Sequence, residues 1–142
     1  MAELKIQKIT ACALVFRDGK LLVAKRADTK KFLPGKFELP GGHIELGEDI
    51  LEGLRREFQE EFSIAIIPGD AVYAFTYMNG DSHVVEVDFL ATLADPDIVV
   101  TPKPDEHSEV RWVNRDELDQ IWDPSDAEYP AILKGFERAV GK

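Results

Sequence analysis

The segment from Asp49 to Phe62 constrains the fold more than any other part of the sequence. Leu51, Leu54, Phe58 and Phe62 recur at three- and four-residue spacing, which places them on one stripe of an α-helix. Asp49 stands where an N-cap is expected, so the helix should run from about Asp49 to Phe62. An apolar stripe of this kind must be covered, and the apolar runs on either side of the helix read as strands. The expectation is therefore a helix packed on a sheet.

Two runs, 7–17 and 20–26, flank Asp18-Gly19 and read as a β-hairpin. Lys5 and Lys8 ahead of Ile9 to Phe16 loosely resemble a short signal peptide, but the hairpin accounts for the same residues. Lys30 to Gly47 is rich in Gly and Pro and reads as mostly loop. Strands near 70–78 and 83–93 flank Asn79-Gly80, with Asp81 and Ser82 extending that turn. In the second of these, Val85, Val87, Phe89, Ala91 and Leu93 share one face and Glu86 and Asp88 the other, as in a half-exposed strand. A proline-bearing loop over 95–108 precedes a short strand at 110–113. Asn114 can cap a short helix through Gln120, and Asp126 can cap a last one. The sum is an α/β (α+β) chain of 142 residues, enough for one domain spanning 1–142.

The helix also carries charge. Glu60 and Glu61 lie about −60° and +40° from Glu57 around the helix axis, so three carboxylates share an arc of roughly 100°. Like charges at this spacing repel, and the C-terminal half of a helix disfavours anions. Full solvation accommodates such a face, and so do hard cations; Mg²⁺ takes oxygen ligands of this kind. Upstream, Leu39-Pro40-Gly41-Gly42 lets the backbone approach closely and can offer a carbonyl, though a plain turn explains it as well.

The formal net charge is −10, which disfavours general nucleic-acid binding and repels free polyphosphate. A phosphate-bearing substrate would need bridging cations. No apolar run is long enough to span a membrane. Cys12 is the only cysteine, so no internal disulfide forms; it reads as a small core residue, and a cytoplasmic location is expected.

Taken together, residues 42–64 resemble the Nudix box of the Nudix hydrolase superfamily, which includes MutT-like enzymes. Gly42, Glu48, Arg56, Glu57, Glu60, Glu61 and Ile64 fall on the positions of that pattern. Phe58 fills a position that is usually aliphatic, and Ser63 replaces a glycine that would form a left-handed C-cap. Phe37 and the strands around Leu22 to Arg26 and Glu109 to Val113 also resemble the family.

The resemblance implies a Nudix-like α/β/α sandwich with a mixed β-sheet and a Mg²⁺-dependent (or Mn²⁺-dependent) hydrolase of nucleoside diphosphate-linked compounds. A (d)NTP pyrophosphohydrolase releasing nucleoside monophosphate and pyrophosphate is the first expectation. An ADP-ribose or nucleotide-sugar pyrophosphatase is the alternative, and a non-catalytic nucleotide sensor is a third. By motif position, Glu57, Glu60 and Glu61 correspond to metal ligands and the carbonyl of Gly42 to a further one. Arg56 corresponds to the residue that orients Glu57, although a surface salt bridge also explains it. Glu48 corresponds to a structural residue. Arg26 can hold a phosphate, and Glu106 or Glu109 can serve as base or ligand. Glu45 fits an exposed loop residue.

Tyr73, Phe75 and Tyr77 share a strand face that suits core packing or base stacking. His43, His83 and His107 have no zinc-like spacing. The partner expected is a small nucleotide, with no membrane and no long nucleic acid, acting on a monomer or homodimer.

Overall fold

A computed structural model describes residues 5–31 and 33–141. Seven strands run in chain order: β1 (Ile6–Arg17), β2 (Lys20–Arg26), β3 (Phe37–Glu38), β4 (Gly41–His43), β5 (Ile66–Asn79), β6 (Ser82–Leu93) and β7 (His107–Val113). Helix α1 (Ile50–Phe62) sits between β4 and β5, a 3-10 helix covers Arg115–Gln120, and α2 (Tyr129–Ala139) ends the fold.

Asp18 and Gly19 both have positive φ, 53° and 77°, which matches the turn to the right-handed twist of β1 and β2. The second hairpin is tighter than its sequence suggests. Asn79 pairs with Ser82, so only Gly80 and Asp81 form the turn. Lys30 to Gly47 is not all loop either: β3 pairs with β2 and β4 with β1.

β1 organises the molecule. It pairs parallel with β6 from Ile6–Ser82 to Val15–Ala91, and antiparallel with β2 and β4. Side chains alternate across a strand. Ala11, Ala13 and Val15 therefore join Leu54, Phe58 and Phe62 of α1 in one core. Cys12 and Leu14 face the other way and join Ile132 and Phe136 of α2 in a second core. The result is a mixed sheet with a helix on each face, an α/β/α sandwich.

β6 lies between β1 and β5, and its buried positions include Glu86 and Asp88, whereas Val85 and Val87 are only partly buried. Glu86 and Asp88 are 4% and 0% exposed, a correction to the solvated face that alternation suggested. Period-two alternation says which residues share a face, not what covers it, and here the α2 side covers it. Tyr73, Phe75 and Tyr77 are the reverse case. They form a half-buried ladder with ring centroids 6.0 Å apart, outside the packed core.

Asp49 caps α1 through its side chain, accepting from the backbone N–H groups of Leu51 and Glu52. Ser63 ends it with φ 56° and ψ 38°, the left-handed conformation usually given to glycine. Asp126 does not cap α2 directly. Its carboxylate accepts from the N–H of Glu128, the helix begins at Tyr129, and the Glu128 side chain is 7% exposed.

Candidate active site

α1 packs its apolar stripe on the sheet, which sets its acidic flank against β4. Glu57 and Glu61 project into a cavity of about 280 Å³ whose other walls include Gly42, Glu38, Arg26, Lys30, Glu86 and Glu106. Glu60 points to the rim and is 57% exposed on its side chain. One face of one helix thus supplies two enclosed carboxylates and one open one.

Gly42 is shaped by this arrangement. A Cβ placed on it would collide with the Glu57 carboxyl group. The glycine lets that carboxylate lie against the backbone of β4.

Arg56 gathers the acidic flank. Its Nε and one terminal nitrogen donate to Glu48 at 2.7 and 3.0 Å, and the other donates to Glu57 and Glu60 at 3.2 and 3.0 Å. It also donates to the carbonyl of His43 at 3.0 Å. Arg56 thus forms the helix salt bridges expected from sequence, and one of them reaches Glu57. Glu48 is held down to about 2 by its hydrogen bonds from Arg56, so it stays ionised.

The electrostatics of the cavity are unusual. Burial, then the charge of Glu57, pushes Glu61 up to about 10. Burial also raises Glu57, with Arg56 opposing the shift. Glu61 Oε2 is buried with no hydrogen-bond partner. An orphaned buried carboxylate oxygen, a second carboxylate beside it and a backbone cradle that no side chain could share form an all-oxygen donor set. This suits a hard divalent cation.

The other expected site residues are placed as follows. Arg26 lines the cavity and pairs with Glu38 at 3.1 Å. Glu106 lines it and pairs with Lys30 at 2.8 Å. Glu109 pairs with Arg111 at 2.8 Å and is not among the cavity-lining residues. Glu45 is exposed, 3.9 Å from Arg56.

Sequence reasoning missed Glu38, Lys30, His107 and Glu128. No spacing links them, since they come from β3, two loops and the start of β7. Glu128 and Glu86 also line a second space of about 370 Å³, which shares Arg26, Glu38 and Tyr77 with the first and adds Phe75, Lys36 and Asp126. Burial pushes Glu86 up to about 10 and Asp88 up to about 7, and raises Glu128. The site is thus a cleft with an acidic end at α1 and an aromatic wall at β5.

Known proteins resemble this chain in sequence and in fold. The profile of the NUDIX domain matches residues 6–132. A nucleoside triphosphatase, NudI of Salmonella newport strain SL254, is 32% identical over 123 residues, covering 79% of this chain and 85% of that protein. The MutT protein of Methanosarcina mazei Go1 superposes with a TM-score of 0.80 at 25% identity, over 99% of this chain and all of its own. A MutT Nudix hydrolase from methicillin-resistant Staphylococcus aureus 252 does so with a TM-score of 0.71 at 29% identity, over 96% of this chain. With that profile running from β1 into α2, the chain belongs to the NUDIX domain family and is a Nudix hydrolase.

Proposed function

We propose that the protein is a Mg²⁺-dependent (d)NTP pyrophosphohydrolase that releases a nucleoside monophosphate and pyrophosphate, working as one catalytic domain. The observation that carries this reading is the convergence of Glu57, Glu61 and the Gly42 backbone on one enclosed cavity, with a Glu61 oxygen left unpartnered. The relative named a nucleoside triphosphatase supports the choice of substrate class.

Glu57, Glu60, Glu61 and the Gly42 carbonyl would hold the cation. Bound there, a divalent cation supplies neutralisation of the diphosphate charge, which this acidic cleft otherwise repels. Arg56 fixes Glu57 and Glu60 in place through its shared guanidinium. Arg26 stands at the junction of the two spaces, where an arginine fork can take a phosphate once Glu38 is displaced. Phe75 and Tyr77 offer a face on which a base can stack. Glu57 accepts the proton of the attacking water, with Glu106 the competing acceptor on the opposite wall.

Incubation with Mg²⁺ and a panel of dNTPs, NTPs, ADP-ribose and nucleotide sugars tests the reading, with products separated by chromatography. Monophosphate and pyrophosphate from a triphosphate are expected, with turnover lost in Glu57→Gln. Cleavage of ADP-ribose or a sugar nucleotide alone would move the substrate assignment. No turnover on any compound would favour a nucleotide sensor.

A further inference from the structure

His107 is 1% exposed at the back of the acidic cavity. The ladder between β2 and β7 is irregular at Lys25 and Arg26, and this register sets His107 opposite Arg26. Its ring stacks on Phe62 of α1, with centroids 5.4 Å apart and planes 14° from parallel. Nε2 lies 2.9 Å from Glu38 Oε2. Nδ1 lies 3.7 Å from Glu61 Oε1 and has no hydrogen-bond partner, and Glu61 Oε2 has none either.

Three elements therefore meet at one ring: β3 through Glu38, α1 through Phe62 and Glu61, and β7 through His107 itself. Arg26 extends the chain by its ion pair to Glu38. The stacking contact and the Glu38 contact fix the ring in plane and in rotation. With Nε2 turned to the Glu38 carboxylate, Nδ1 presents its edge to Glu61 across 3.7 Å, and a hydrogen bond closing that gap uses a single proton held by one of the two groups, which sets the direction in which the carboxyl group turns.

We infer that His107 is a positioning residue, which orients the Glu61 carboxylate through Nδ1 while Glu38 anchors the ring through Nε2. This rests on the reading that Glu61 helps to hold the cation. Groups that orient metal-binding carboxylates govern affinity from outside the coordination sphere, commonly by about 10–100-fold. Simple core packing predicts a different result, since an aromatic ring of similar size would then serve as well.

The test is Mn²⁺ binding to the full chain, measured by electron paramagnetic resonance, in wild type, His107→Phe and His107→Gln. His107→Phe keeps the stack on Phe62 and removes both nitrogens. It should weaken Mn²⁺ binding by about 10-fold or more, with metal-free melting close to wild type. His107→Gln should recover part of the affinity. Wild-type affinity in His107→Phe overturns the inference and leaves the metal reading standing. A wild type that binds no Mn²⁺ overturns both. Should His107→Phe fail to fold, Glu38→Gln loosens the anchor without touching the ring, and unchanged Mn²⁺ affinity there overturns the inference equally.

Discussion

The carboxyl group of Glu57 occupies the space in which a side chain on Gly42 would begin. A methyl group at residue 42 meets the far end of a flexible glutamate, whereas one at Gly41 meets the backbone oxygen of Ala11. Gly42→Ala should therefore fold and melt near wild type while losing about 100-fold or more in kcat/KM, as expected when a reacting group is displaced by an ångström or so. Gly41→Ala should lose stability instead. Thermal melts paired with steady-state kinetics separate the two outcomes.

Arg56 bonds three carboxylates and a carbonyl at once. A lysine supplies the charge but not the planar fork. Arg56→Lys should lower kcat by about 10-fold or more, with KM changing less, because Glu57 and Glu60 lose a shared anchor. Equal effects of Arg56→Lys on kcat and KM would show that the guanidinium contacts substrate instead.

Ser63 holds a left-handed conformation that disfavours any side chain. Ser63→Gly should raise stability by about 0.5–1 kcal/mol, offset in part by the greater freedom of glycine in the unfolded chain. Urea denaturation measures this. A clear loss would mean that the serine side chain stabilises the end of α1 in some other way.

The buried acids make stability depend on pH. Burial pushes Glu86 up to about 10 and Asp88 up to about 7, so both hold protons more tightly folded than unfolded. Their contribution is complete below the ordinary carboxylate range. It falls as pH rises, through about 7 for Asp88 and on towards 10 for Glu86. Metal-free protein should melt at progressively lower temperature from about pH 5 to about pH 8, and Glu86→Gln should flatten that slope. A melting temperature that climbs over the same interval would reveal a counter-charge for these acids.

Helix α1 was legible because everything that specifies it is local: the stripe of Leu54, Phe58 and Phe62, the Asp49 cap, and carboxylates one turn apart. The Asp18-Gly19 hairpin was legible for the same reason. Glu86 and Asp88 were not, because the α2 side of the sheet covers them and α2 lies far downstream in sequence. His107 was hidden in the same way. Its meaning depends on Glu38, far upstream, and on an irregular register with β2 that no periodicity encodes. The aromatic ladder resisted reading because residues 73, 75 and 77 alternate equally well whether their face meets a core or a cleft.

The parallel pairing of β1 with β6 also bears on how the protein comes into being on the ribosome. β1 can find β2 and β4 early in synthesis, but its other edge stays open until Ser82 to Ala91 have been made. Until then the acidic helix has emerged without β6 or α2, and an apolar strand edge is available to other chains. Such long-range pairing is slow to form. A nascent chain stalled before Ser82 would carry all the carboxylates of α1 and still lack the Glu86 wall of the cleft, so nucleotide binding should switch on late, as a signal that the sheet has closed.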